Sequence, residues 1–435
     1  MGGEWSRARL GDLVSIKHGW PFKSELFSLD RLGRPIVVSI GNFQYTGGFR
    51  FESTAIKEYA GEYPREYELT PGDILLVMTC QTAGGEILGI PARVPNDGRV
   101  YLHNQRMGLV VPRNGNVDPA FLYWLFLYRD FNLHLVSSAS GTKILHTAPS
   151  RIESFEFDLP PLAEQRAIAR ILGALNDKIE LNRKLNATLE AMARALFKSW
   201  FVDFDPVRAK AEGRAPSGVD AETARLFPNA LVESQLGPIP KGWRVGSIYE
   251  LSSVDYGAPY ASSRFNTEKR GLPVVRIRDL VDQTPAIWTD EEHARAVRLA
   301  DGDVVVGMDG EFRAHLWGSG PALLNQRACR FSPRDAKDGT FVRLSVGPCL
   351  EFVERTEVAT TVIHLGKSDI DQFRVVIPSR AILDAFAIIA GPFIEKQIVT
   401  SHESRSLVRI RDVLLPRLVS GELSVAQAEL VGGPS

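Results

Sequence analysis

Apolar residues along 160–201, PPLAEQRAIARILGALNDKIELNRKLNATLEAMARALFKSWF, recur at alternating steps of four and three. Ile168, Leu172, Leu175, Ile179, Leu189, Ala193, Leu196 and Trp200 make one seam, with Asn182 and Asn186 in its middle. Ala, Leu, Glu, Lys and Arg fill the rest, residues that lose little rotamer freedom in a helix. The pattern predicts a long helix that pairs with another long helix through this seam. From Leu162 to Trp200 it would extend about 58 Å at ~1.5 Å per residue. Asparagines in such a seam cost stability and specify register and partner.

A second such stretch follows at 378–419, PSRAILDAFAIIAGPFIEKQIVTSHESRSLVRIRDVLLPRLV. A shift of 218 residues lays Pro160 on Pro378, Gly173 on Gly391, Lys178 on Lys396, Leu189 on Leu407 and Leu196 on Leu414. Pro392 removes one ladder hydrogen bond and crowds the preceding turn, which predicts a kink or break near the first third of this helix. Two similar helices with apolar seams most simply form one antiparallel coiled coil.

The repeat extends to the β-type segments. Trp5–Phe22 (WSRARLGDLVSIKHGWPF) aligns without a gap on Trp243–Tyr260 (WRVGSIYELSSVDYGAPY), keeping the Trp, the Gly-x-Pro and an aromatic. GRPIVVSIGNF answers GLPVVRIRDL, and LTPGDILLVM answers LADGDVVVGM, each a turn signal leading into a β-branched or apolar run. Asn104-Gln105-Arg106 answers Asn325-Gln326-Arg327, and His146 falls on His364. Each half therefore reads as an α+β globule followed by a long helix. The expected boundaries are 1–158 for the first globule, 159–203 for the first helical region and 204–240 for a proline-rich linker with little core. The second globule then spans 241–377, the second helical region 378–423 and a frayed tail 424–435.

Composition narrows the class. The 435 residues leave room for about two or three domains. Three cysteines in no metal-like spacing point to a reducing cytosol. The N-terminus has no apolar leader, and no apolar run reaches the roughly 18 residues that a membrane span needs, so a cytoplasmic location is expected. The net charge of −1 means that any grip on nucleic acid must come from local patches or from a partner.

Two like globules at the ends of an antiparallel helix pair suit a target with two sites at fixed separation. Duplex DNA presents half-sites about one helical turn, roughly 34 Å, apart. Unlike loops on the two globules would make that target bipartite and asymmetric. The chain also resembles, over nearly its whole length, the specificity subunits of Type I restriction–modification systems. The resemblance is carried by LPPLAEQRAIARILGALNDKIELNRKLN at 159–186, FKSWFVDFDPVRAKAEG at 197–213, the paired Trp-containing openings of the halves, and LLPRLVSGELSV at 414–425. It implies two target recognition domains of mixed α/β type, separated by two long helices as a pseudo-two-fold repeat. It also implies a non-catalytic subunit that docks two methyltransferase subunits onto double-stranded DNA, with restriction–translocase subunits in the full complex. The chain itself would carry no cofactor; S-adenosylmethionine and ATP with Mg would belong to the partner subunits. The second helical region, IPSRAILDAF, lacks the PPL-x-EQ form of the first.

Base readout needs donors and acceptors on loops held by a rigid sheet. The first globule offers Lys23, Asn42, Gln81, Thr82 and Lys143; Gln81 and Asn42 can bond adenine bidentately, and the lysines suit guanine or phosphate. The second offers Arg276 and Arg278, expected on one face of a strand, and Arg313 and His315 in DGEFRAH, the counterpart of the Gln81 loop. Against these stand a solvated loop, an ion pair of the strand arginines with Asp279 or Asp282, and an ordinary half-buried histidine. Asn104-Gln105-Arg106 and its echo are assigned a structural role, with Gln and Arg bonding backbone, because both halves carry them while reading different sequences. His146 and His364 are likewise structural or phosphate contacts. Glu164, Gln165, Arg166, Lys178, Asn182 and Lys184 form a polar helix face, either merely solvated or a methyltransferase interface. No nucleotide-binding Gly-rich loop, metal-binding HExxH or methyltransferase tetrapeptide occurs. Two alternatives remain at this level: a coiled-coil scaffold binding proteins, or a divergent DNA methyltransferase or nuclease.

Overall fold

The structure is a computed structural model describing residues 4–28, 30, 32–50, 56–141, 143–356 and 363–432, with side chains described up to Ala428. The chain divides into two compact units, residues 1–177 with 407–435 and residues 178–406. Among the described residues no helix is long and apolar enough to cross a membrane.

Each unit has the same strand frame. In the first, Val14–His18 pairs antiparallel with Met107–Pro112, which pairs with Ile74–Val77, which pairs with Pro91–Arg93. In the second, Ser252–Tyr256, Ala328–Pro333, Val304–Gly307 and Ala314–Leu316 follow in the same order. A parallel pair sits beside each sheet: Ile36–Val37 with Tyr101–Leu102, and Leu272–Val275 with Ala322–Leu324. The strand that opens each globule pairs with the strand that leads into the long helix, Ser6–Arg9 with Glu156–Leu159 and Arg244–Ser247 with Arg374–Ile377. Start and end of each globule are thereby tied together at the root of a helix.

Repeated sequence signals have identified structural causes. In the Gly-Asp turns, Gly72 and Gly302 adopt φ of +95° and +94°, a conformation that a Cβ disfavours. Asp73 and Asp303 each accept a 2.8 Å hydrogen bond from the backbone of Thr70 and Ala300, which holds the entry to the buried strand. In the Gly-x-Pro segments, a Cβ at Gly19 or Gly257 would collide with the backbone of Asn104 or Asn325. The glycine is there because another turn packs directly against it.

Both long helices form, Leu162–Phe201 and Arg380–Val419. The predicted kink or break at Pro392 becomes no break: the second helix is continuous through it. Proline frees one carbonyl, that of Ile388, and the Ile388 side chain is 76% exposed, so water can reach that turn. In unit 2 the helices pair antiparallel through the predicted polar layer. Buried Asn182 donates to Glu403 at 2.8 Å, and Asn186 meets Ser401 at 3.2 Å as well as Thr400. In unit 1, Arg411 donates to Asn176 at 3.3 Å. The seam is driest at its ends, where Ile168 and Leu172 enter the first core and Ala193 and Trp200 the second.

Two segments differ from expectation. The stretch expected as a linker, 204–240, forms helices Asp205–Ala211 and Ala221–Leu226 and buries Phe204, Val207, Phe227 and Ile239 in the core of unit 2. Its prolines open and close short elements, while its few aromatics are large enough to anchor it against Trp200 and Trp243. The tail expected to fray forms a helix, Val425–Gly432, with Leu423 and Ala428 buried in the first core; residues 433–435 lie outside the described ones.

Candidate nucleic-acid interface

In unit 1 three loops converge at one end of the sheet. Asn104–Met107 is a β-turn, closed by a 2.9 Å bond from Met107 N to Asn104 O, with Gln105 and Arg106 as its central residues. Its Gln105 N donates to Trp20 O at 3.0 Å, and its Arg106 O accepts from Met78 N at 3.0 Å. Met78 O in turn accepts from Thr147 N at 3.0 Å, so the strand end, the turn and the His146 segment are stitched at one residue. Thr79–Cys80 pairs with Leu145–His146, and Thr79 Oγ1 lies 3.1 Å from His146 Nδ1.

Gln81, Thr82 and Lys143 flank this ladder and are exposed, as is Lys23 on the neighbouring Trp20 loop. Thr82 is committed to its own loop, donating to Glu86 and lying 3.1 Å from Cys80 Sγ. Asn42 is not at the surface. It is fully buried, and its Oδ1 accepts from Ser39 N at 2.8 Å and Ser39 Oγ at 2.9 Å as the cap of a short helix, Ile40–Asn42. It cannot reach a base edge.

Unit 2 repeats the stitching. Ala328 N bonds Asn325 O at 3.1 Å, placing Gln326 and Arg327 at the centre of the turn; Met308 N bonds Arg327 O at 2.9 Å, and Leu365 N bonds Met308 O at 2.8 Å. The predicted strand face of Arg276 and Arg278 does not exist. The strand ends at Val275, and Arg276 starts a short helix, Ile277–Asp279, whose Asp279 caps its backbone at 3.0 Å and pairs with its guanidinium at 3.0 Å. Asp279 does in unit 2 what Asn42 does in unit 1. Arg278 is exposed. Arg313 carries two acids, Glu354 at 3.1 Å and Glu311, which neutralise it in place. His315 lies in strand Ala314–Leu316 opposite Val305; burial first, then the Arg313 charge, pushes its pKa down and keeps the ring neutral. A neutral imidazole offers a phosphate at most one hydrogen bond and no charge. His364 Nδ1 donates to the Asp309 carboxylate at 2.7 Å, and Arg327 stands 3.5 Å from the same carboxylate.

The structural role assigned to the Asn-Gln-Arg triplets is carried by their main chain and by the Asn104 side chain, not by the Gln and Arg side chains. Asn104 bonds backbone, accepting from Arg106 N at 3.2 Å. Among the described residues the side chains of Gln105, Arg106, Gln326 and Arg327 do not bond backbone as expected; they are exposed, because central residues of a tight turn point away from the sheet. The spacing of Asn before Gln-Arg between two apolar strands was the signal that could have shown this.

On the helix face, Gln165 and Asn182 are withdrawn from any partner surface. Gln165 is fully buried, donating to Asn116 O at 3.1 Å and Pro160 O at 2.8 Å and accepting from Asp118 N at 2.8 Å. Asn182 faces the other helix. Glu164 accepts from Trp5 Nε1 at 3.0 Å, Arg166 stands 3.6 Å from Asp118, Lys178 stands 3.3 Å from Glu403, and Lys184 is exposed. Gln165→Ala is expected to cost about 1–3 kcal/mol, since it leaves buried backbone groups unpaired. The urea midpoint of the full chain reads this; an unchanged midpoint with weakened partner binding would reverse the assignment.

The two units thus repeat one α+β frame with unlike loops, each copy rooted in a long helix. Residues 2–191 match the family model described as Type I restriction modification DNA specificity domain. The Type I restriction enzyme HindI specificity subunit of Haemophilus influenzae is 26% identical, covering 97% of this chain and 100% of its own length. The MjaIX specificity subunit of Methanocaldococcus jannaschii is 27% identical over 74% of this chain and 73% of its own. A crystal structure of a Type-I restriction-modification system S subunit from M. genitalium shares the fold, with a TM-score of 0.57 at 14% identity, covering 95% of this chain and 96% of that one. Residues 2–191 thus match a type I specificity domain, and nearly the whole chain is similar to specificity subunits of type I restriction enzymes.

Proposed function

We propose that each unit reads one half of a bipartite, asymmetric DNA target while the paired helices set the spacing and dock methyltransferase subunits. The observation that carries this reading is the contrast within the repeat. The strand frame and the stitched turn recur in both units, whereas the loop after the central strand is TCQTAGG in one and DGEFRAH in the other. A shared frame with unlike loops is what two readers of different half-sites require. In this reading the chain positions DNA and performs no chemistry. The S-adenosylmethionine site would lie on two methyltransferase subunits, and ATP with Mg on restriction–translocase subunits, all in the cytoplasm.

The near-neutral chain is compatible with partners that supply much of the phosphate contact. Co-expression with the cognate methyltransferase subunit, followed by mapping of methylated adenines across the host genome, should yield one split, asymmetric motif. Gln81→Ala should relax the first half of that motif and leave the second unchanged. A stable complex that methylates nothing would favour the protein-binding scaffold instead.

A further inference from the structure

We infer that the Gln105–Arg106 turn with His146 is a phosphate-backbone clamp, and that its counterpart in unit 2 is held partly closed by Asp309. The inference rests on the DNA-reading proposal above and assigns a distinct task to residues outside the variable loops.

The turn recurs in both units with the same central pair and the same backbone bonds to the strand end. Readers of different half-sites cannot share a base-specific residue, but they do share phosphates, which are alike at every sequence. Arginine and glutamine at the centre of a turn whose main chain is held by bonds to Trp20 and Met78 present donors from a fixed backbone position. His146 lies on the segment bonded to that same Met78, and Arg106 is exposed with no ion pair among the described residues.

The copies differ at one position that matters. Where unit 1 has Thr79 beside His146, unit 2 has Asp309 beside His364. Asp309 bonds His364 at 2.7 Å and sits 3.5 Å from Arg327, so its charge offsets the cations that would meet a phosphate. The clamp of unit 1 is therefore the stronger of the two.

The test uses the full chain bound to its methyltransferase subunit. Affinity is measured by fluorescence anisotropy on the methylated motif's duplex and on a scrambled duplex across a salt series. Arg106→Ala is expected to weaken both duplexes by the same factor and to lower the slope of log K against log salt by about 1. Arg106→Lys should retain most of the binding. Arg327→Ala should do less than Arg106→Ala, and Asp309→Thr should tighten both duplexes. Loss confined to the motif duplex would make Arg106 a base reader and overturn the clamp. An unchanged affinity and slope would remove it from the interface altogether. A wild-type complex that fails to distinguish the two duplexes would defeat the DNA-reading proposal, a result separate from either outcome for Arg106.

Discussion

Alanine at Glu190 should cost unit 2 about 3–5 kcal/mol, because it strands a buried guanidinium. Arg343, from helix Gly339–Thr356, has a side chain only 5% exposed. Its two Nη atoms donate to the Glu190 carboxylate at 3.0 and 2.7 Å, and Arg194 adds a third donor at 2.6 Å. The Nε of Arg343 has no partner among the described residues, so Glu190 supplies nearly all of its compensation. Removing the carboxylate leaves the charge in place without a counter-ion, which is far worse than never having buried the pair. The double replacement Glu190→Leu with Arg343→Met should therefore recover most of the loss. Urea unfolding of the three proteins checks this; equal midpoints for wild type and Glu190→Ala would show the pair to be solvated and dispensable.

The same pair makes stability depend on acid. Burial favours the neutral form of Glu190, but the hydrogen bonds and charge of Arg343, with Arg194, outweigh it and hold the carboxyl below its ordinary range. A carboxylate with a depressed folded-state pKa contributes stability that is fully present above the unfolded value. That contribution is lost as pH falls through the folded value. The wild type should thus lose stability more steeply than Glu190→Leu/Arg343→Met as the pH drops below the ordinary glutamate range.

Lengthening both long helices by a heptad should lengthen the gap between the methylated half-sites. The place to insert is after Asp177 in the first helix and before Leu407 in the second, where the chain divides between its units. Contacts such as Asn182–Glu403 in one unit and Arg411–Asn176 in the other are then left intact, and a seven-residue insert keeps the seam in phase. Each insert adds about 10 Å at ~1.5 Å per residue, roughly three base pairs at ~3.4 Å per pair. Mapping of methylated adenines reads the result directly. An unchanged gap, with both half-sites still recognised, would sink the idea that the helices measure the distance.

The helices were legible because their signal is local and periodic. A seam of Ile, Leu and Ala at steps of three and four, and its recurrence after 218 residues, needs no knowledge of what lies across from it. The Gly-Asp turns and the strands behind them were legible for the same reason: glycine at positive φ and a capping aspartate are choices made within four residues. The internal repeat then implied two similar globules without any need to trace their sheets.

What only the tertiary structure decided is which polar side chain is free. Asn42, Gln165 and Asn182 read as donors available to a partner, yet each is buried and used up, by Ser39, by the backbone of residues 116–118 and 160, and by Glu403. Arg106 read as structural and is exposed. Arg276 and Arg313 read as free cations and are instead paired, with Asp279 and with Glu311 and Glu354, in the fold. Periodicity says which face of an element is apolar, whereas availability of a polar group depends on the neighbour that folding brings within hydrogen-bond distance. That neighbour is often far away in the chain: Glu403 is 221 residues from Asn182.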